Sequence, residues 1–132
     1  MPHFTIAYSG NLDTEIDFDA LVEVVRIAAV ETGIFPLGGI RVRTMRSAHY
    51  AIADGRAGLG FVDMVLRIGE GRDLATRKQA GAHVFTTLSD YLSPVFARRP
   101  LALSFDIQVN NKDTSWKRNN IHDLLTSEAR HG

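Results

Sequence analysis

The apolar residues of this chain change their period from two to helical and back, and they do so twice in the same order. That doubled pattern limits the available folds more than any single motif. Residues 3–8 alternate, with Phe4, Ile6 and Tyr8 on one side, as a strand does. A polar stretch follows, with a turn signal at Gly10-Asn11 and Asp17 as a candidate helix cap. Phe18, Leu21, Val22, Val25 and Ala29 then recur at helical spacing, which predicts an amphipathic helix over about 18–32 that Gly33 stops. A second strand is predicted from about Ile40 into Met45, extending as far as Ile52, with a hairpin-type turn at Ala53-Asp54-Gly55. Phe61–Ile68 is a third strand, apolar on both faces apart from Asp63 and Arg67. Beyond the turn at Gly69-Glu70-Gly71-Arg72, Asp73 can cap a second helix. Its stripe is Leu74, Gly81, Val84, Phe85, Leu88, Leu92 and Val95. After Pro100, Leu101, Leu103, Phe105, Ile107 and Val109 alternate cleanly as a fourth strand.

The order is β-α-β, a hairpin, then β-α-β. It predicts an α+β fold in which two fused β-α-β units form a four-stranded mixed sheet with both helices on one face. The 132 residues make one domain, with halves at about 2–53 and 59–109 and a polar tail over 110–132. Only Trp116, Ile121, Leu124 and Leu125 could anchor that tail. The sheet face away from the helices carries apolar residues too, so a second copy of the chain is the simplest cover for it and a homo-oligomer is expected. The loop 33–39 is rich in turn residues yet apolar at Ile34, Phe35 and Leu37, and it too needs cover.

Composition narrows the chemistry. There is no cysteine, hence no disulfide, thiolate nucleophile, iron–sulfur cluster or zinc-thiolate site. Fifteen Lys+Arg balance fifteen Asp+Glu, which argues against a dedicated nucleic-acid binder. No apolar run approaches the roughly 18 residues of a membrane span, and Met1-Pro2-His3-Phe4 lacks the character of a signal peptide. A cytoplasmic protein that needs neither membrane nor metal is the expectation.

Most motifs lead nowhere. The five histidines (His3, His49, His83, His122 and His131) form no His-x-x-x-His pair, and no carboxylate lies at a familiar ligand spacing. Gly58-Leu59-Gly60 and Gly69-Glu70-Gly71 lack phosphate-binding patterns and read as turns. The serines occupy no nucleophile elbow. Glu15 and Asp17 suit a helix N-terminus, and Lys117-Arg118 reads as a solvated surface patch. Arg41 and Arg43, two apart on a strand, project from one face, and Arg72 lies close to a helix N-terminus, a setting that suits anions. The competing reading is that these are ordinary surface or ion-paired arginines. Pro2 is the unusual residue. Removal of Met1 before a small second residue would leave a terminal secondary amine, and burial or nearby cations would lower its pKa toward that of a useful general base.

Several stretches together carry a resemblance. They are Met1-Pro2-His3-Phe4; Thr32-Gly-Ile-Phe-Pro-Leu-Gly-Gly-Ile-Arg-Val-Arg43; Ala53-Asp-Gly55; Phe61-Val-Asp-Met-Val-Leu-Arg-Ile-Gly-Glu-Gly-Arg72; Leu101-Ala-Leu-Ser-Phe-Asp106; and Asn119-Asn-Ile-His-Asp-Leu124. In these the chain resembles the tautomerase superfamily with an amino-terminal proline and, within it, the 5-carboxymethyl-2-hydroxymuconate isomerases. The Thr32–Arg43 stretch is the specific part, and only the tail after about Leu125 lies outside the likeness. The resemblance implies a homotrimer with sheets facing inward and active sites between subunits. It implies a cofactor-free keto–enol isomerase of homoprotocatechuate and related aromatic-compound breakdown, acting on a small carboxylated dienol. Pro2 would be the general base, Arg41 and Arg72 would bind carboxylates and steady the dienolate, and Arg43 belongs to the same motif with a less defined role. Phe35 or Leu37 is a candidate pocket wall.

Two alternatives stay open on sequence alone. Another tautomerase, or a hydrolase or dehalogenase of unsaturated acids, would share Pro2 and the arginines. A non-catalytic small-molecule-binding module with a ferredoxin-like sheet would show the same element order, with Met-Pro incidental.

Overall fold

The computed structural model describes the backbone of residues 1–131 and side chains as far as Thr126. Its strands are β1 (His3–Ser9), β2 (Arg41–Ser47), β3 (Gly60–Ile68) and β4 (Leu101–Val109), and its long helices are α1 (Phe18–Glu31) and α2 (Leu74–Arg98). They form one mixed sheet in the order β2-β1-β3-β4. β1 runs parallel to β2, β3 runs parallel to β4, and β1 and β3 pair antiparallel at the centre.

Local chemistry sets the helix bounds. The Asp17 carboxylate accepts from Ala20 N at 3.1 Å and Asp73 from Thr76 N at 2.8 Å, each satisfying a helix N–H that has no partner within the helix. Gly33, at φ +70°, takes the left-handed step that ends the first helix. The alternation in β1 and β3 buries Phe4, Ile6, Val62, Met64, Leu66 and Ile68 against Leu21, Val25, Val84, Leu88 and Leu92 of the helices. Gly81 lets α2 approach β4 closely, since a Cβ there would lie 3.0 Å from Ile107 Cδ1. Leu74 and Phe85, assigned to the buried stripe of α2 by spacing, are instead exposed. Ala80 is the buried residue of that first stretch.

The expected hairpin is absent. A turn does form at 53–55, with Gly55 N donating to Ile52 O at 2.9 Å, but β2 ends at Ser47 and never pairs with β3. Each crossover sets its second strand on the outer side of its first, so β1 and β3 meet in the middle. Segment 48–59 must then pass over the end of β1, where Asn11 Nδ2 holds Leu59 O at 2.8 Å and Ser9 Oγ accepts from Phe61 N at 3.0 Å.

The C-terminal region departs further from expectation. A 3₁₀ turn over Lys112–Thr114 leads to a third helix, α3 (Ile121–His131), which packs on the 3₁₀ turn Leu37–Gly39. Its attachment is mainly polar and steric. Asn119 Nδ2 donates to Gly38 O at 2.8 Å, and Gly38 lies so close to His122 that a Cβ would fall 2.7 Å from Nδ1. Trp116 anchors nothing, being 86% exposed. The apolar loop gains its cover from two sides, with Phe35 buried against Phe4 at 6.1 Å between ring centroids and the 37–39 turn lying under α3.

On the sheet face opposite α1 and α2, the register brings together His3, Thr5, Arg41, Arg43, Val65 and Arg67 near the start of β1, and Ala7, Met45, Phe61 and Asp63 toward its end. None of these is fully buried. No helix among the described residues is long and apolar enough to cross a membrane.

Candidate active site

The cationic side chains converge where β1 begins. Pro2 is buried, and its carbonyl accepts from Arg41 N at 3.1 Å, extending the β1–β2 ladder by one step. Gly39 presses on it closely enough that a Cβ would lie 3.2 Å from Pro2 Cδ and 3.5 Å from Met1 Cα. Met1 lies in the same crevice, with its Sδ 3.5 Å from Asn119 Nδ2.

The loop before β2 orients two of the expected arginines through its backbone. Arg41 Nη1 donates to Gly39 O at 2.8 Å and to Gly38 O at 3.3 Å. Arg72 reaches across from the end of β3 and donates through Nε and Nη2 to Ile34 O at 3.2 and 3.1 Å. Its guanidinium carbon also sits 5.1 Å from the centroid of Phe35, a cation–π distance. Each planar fork is thus fixed by neutral carbonyls that leave its charge uncancelled. Phe35, one of the two candidate pocket walls, serves as the platform for Arg72, while Leu37 is half exposed.

Arg43 is placed differently. Its Nη1 lies 3.2 Å from His3 Nδ1. Because a guanidinium can only donate, Nδ1 must accept, and the imidazole is neutral with its proton on Nε2. Burial, followed by Arg67, Arg43 and Arg41, holds His3 below its ordinary pKa, in agreement with a neutral ring.

The terminal amine feels the same field. Burial lowers its pKa first, then Lys117, Arg72, Arg41 and Arg67 in that order. Elsewhere arginines pair with acids: Arg46 with Asp13 at 2.7 Å, Arg98 with Glu15 at 3.2 Å, Arg56 with Asp54, and Arg26 with Glu23. Among the described residues Arg41, Arg43, Arg67, Arg72 and Lys117 have no carboxylate within ion-pair distance. Uncompensated charge clustered about a partly buried amine suits the binding of an anion. It sets these arginines apart from the ordinary ion-paired ones.

The structure therefore brings Pro2, Arg41, Arg43 and Arg72 to one end of the sheet, and it adds residues that spacing did not single out. Arg67 is the antiparallel partner of His3, a relation visible only once β1 and β3 are paired. Lys117, read as solvated, is exposed but lines a cleft of about 250 Å³ with Met1, Gly69, Glu70, Asn110, Lys112 and Ser115. Asn119 ties the α3 segment to the Arg41 loop. The signal for Asn119 lay in the Asn119–Leu124 stretch, which resembles the family without suggesting a contact, and Lys117 lies outside every such stretch.

Comparisons with known proteins show the family and the fold. The family model of 5-carboxymethyl-2-hydroxymuconate isomerase matches residues 2–125. A curated Escherichia coli 5-carboxymethyl-2-hydroxymuconate Delta-isomerase is 39% identical over 125 residues, covering 95% of this chain and 99% of that protein. The crystal structure of a 5-carboxymethyl-2-hydroxymuconate isomerase from Deinococcus radiodurans R1 superposes with a TM-score of 0.88 at 36% identity, over 94% of this chain and 93% of that one. A further crystal structure, of a 5-carboxymethyl-2-hydroxymuconate delta-isomerase, gives 0.87 at 35% identity, over 95% and 93% of the two chains.

Proposed function

Because the chain belongs to the 5-carboxymethyl-2-hydroxymuconate isomerase family, we propose that Pro2, made the terminal residue by loss of Met1, shuttles the proton that turns this dienol into its oxo isomer. The observation that carries the reading is the environment of the terminal amine, which is partly desolvated and lies in the field of Lys117, Arg72, Arg41 and Arg67. The Met1 amine stands here for the Pro2 amine that processing would expose. Pro2 is buried where Met1 is only partly so. Both burial and like charge favour the neutral amine, which is the form able to accept a proton.

The reaction balances without an external oxidant or reductant. The amine takes the proton of the enolic hydroxyl, and the O–H electron pair becomes the carbonyl bond. The double bonds shift along the chain, and the proton returns to carbon. Negative charge on the dienolate oxygen and the carboxylates is met by guanidinium groups held in place before the substrate arrives, so little reorganisation is needed as the charge develops. Arg41 and Arg72 each retain N–H groups beyond those given to the loop carbonyls, and these can grip a planar carboxylate. Arg43, turned to His3, acts by keeping that imidazole neutral and by adding to the field.

The same reading implies a homotrimer closed over the exposed sheet face, where Val65, Phe61, Met45 and Ala7 lie beside the cationic end. The same reading places the protein in the cytoplasm, where Met1 is removed from newly made chains.

The test is intact mass followed by pH–rate profiles on 5-carboxymethyl-2-hydroxymuconate. A chain lighter by one methionine, with an essential group that must be unprotonated and titrates below the ordinary amine range, is expected. Full activity in a protein that retains Met1 would overturn the role of Pro2, because an amide nitrogen is not a base.

A further inference from the structure

We propose that Lys117 holds the carboxymethyl carboxylate of the substrate and so sets the preference for a tricarboxylate over a dicarboxylate. The proposal rests on the isomerase reading above and assigns a residue and a substrate group within it.

Three features of the fold support it. First, Lys117 lies on a cleft that the arginine loop does not line. Arg41 and Arg72 are fixed by the carbonyls of residues 34, 38 and 39, whereas Lys117 shares with Met1 the separate cleft of about 250 Å³ described above. Loss of Met1 would join that cleft to the space before Pro2. Second, the segment carrying Lys117 is tied down at both ends. Asn110 N donates to Ile68 O at 2.7 Å, and Asn119 bonds Gly38 O at 2.8 Å while its Oδ1 accepts from Ile121 N at 2.7 Å. A lysine on a segment so held is kept beside the amine, and its charge is the nearest in effect on that amine. Third, the charge is uncompensated: Lys117 has no ion pair among the described residues, and Glu70, the carboxylate on the same cleft, forms none with it.

The chemistry of the three carboxylates divides between the two kinds of cation. Two carboxylates belong to the conjugated chain, lie in its plane and suit rigid planar guanidinium forks. The third, on a saturated methylene, rotates freely and suits an ammonium with rotatable donors on a flexible stem. Lys112, on the same cleft, can assist but lies on the exposed turn before it.

The experiment compares wild type, Lys117→Met and Lys117→Arg on 5-carboxymethyl-2-hydroxymuconate and on 2-hydroxymuconate, which lacks the third carboxylate. Loss of a charged hydrogen bond should raise KM for the tricarboxylate roughly tenfold or more in Lys117→Met, leave KM for the dicarboxylate near its original value, and be partly restored by arginine. The through-space effect of Lys117 on the amine acts on kcat and its pH profile equally for both substrates, so the contact is read from the ratio of their KM values. An equal rise in KM for both substrates, or no rise for either, overturns the proposal. Calorimetric titration with muconate and its carboxymethyl derivative, neither carrying the hydroxyl that tautomerises, reads the same contact without turnover. The carboxymethyl compound should bind wild type more tightly than muconate, and Lys117→Met should remove the difference. A difference that persists also overturns the proposal. If wild type isomerises neither dienol, the isomerase reading fails, and the titration alone decides the role of Lys117.

Discussion

Gly38→Ala adds one methyl group at the joint between the arginine loop and α3, and the geometry states what it must displace. The new Cβ would stand 2.7 Å from His122 Nδ1, 3.0 Å from His122 N and 3.1 Å from its Cγ. The imidazole can rotate away, but the backbone nitrogen can move only with the helix. Ordinary contact begins near 3.4 Å, so the first turn of α3 must retreat by several tenths of an ångström. Overpacking of this kind costs about 1–3 kcal/mol. Gly38 has no positive φ, so alanine is allowed there and recovers about 0.4–1 kcal/mol by restricting the unfolded chain. The net is a loss of about 1–2 kcal/mol, or roughly 3–8 °C in Tm for a chain of 132 residues. If α3 relieves the clash by lifting off, Tm falls less, and the amides of 121–126 exchange faster instead. Either way Asn119 and Lys117 withdraw from the site, and kcat/KM should drop. His122→Ala in the same chain should restore only part of the loss, since the 3.0 Å contact with His122 N remains. The measurements are calorimetric Tm, hydrogen exchange and steady-state kinetics. A variant with Tm within 1 °C of wild type, unchanged exchange over α3 and unchanged kcat/KM would refute the claim that this joint positions the site.

Gly39→Ala should behave differently. Its nearest obstacle is Pro2 Cδ at 3.2 Å, so kcat should fall more than Tm, as kinetics and melting on one preparation would show. Arg72→Lys keeps a charge but gives up the two-pronged grip on Ile34 O and the flat stacking on Phe35. It should lower kcat/KM by roughly tenfold or more, and a wild-type value would show that the fork geometry is immaterial. The burial and cations that hold His3 below 6.5 make its protonation easier in the unfolded chain. Stability should therefore fall as pH drops from 6.5 through the lowered value, and His3→Gln should flatten Tm between pH 8 and pH 5. Val65→Lys, on the open sheet face, should give a smaller particle by light scattering and lose activity; an unchanged assembly would place the interface elsewhere.

The sheet and both long helices were legible because each is governed by local rules. Alternation identified β1 and β4, Asp17 and Asp73 capped the helices as their side chains allow, and Gly33 ended α1 at a positive φ. The expected hairpin failed because a turn at 53–55 says nothing about which strands flank it. The pairing of β1 with β3 is a consequence of two crossovers, not of the loop between β2 and β3. α3 was not legible because it docks through Asn119 and a glycine surface, with Ile121 and Leu124 largely exposed, so that its described residues carry no buried apolar stripe.

By itself the sequence determined the doubled strand–helix–strand plan, the resemblance to an isomerase family, and Pro2, Arg41, Arg43 and Arg72 as the residues of interest. It could do so because periodicity, caps and a contiguous motif are properties of neighbouring residues. Only the tertiary structure decided the electrostatics. Arg67 faces His3 through antiparallel pairing, Lys117 reaches the terminal amine from far along the chain, and the carbonyls of residues 34, 38 and 39 orient two guanidinium groups without neutralising them. A net charge of zero is compatible with that local excess because acids elsewhere pair with other arginines, and which charges meet is settled by distance in space.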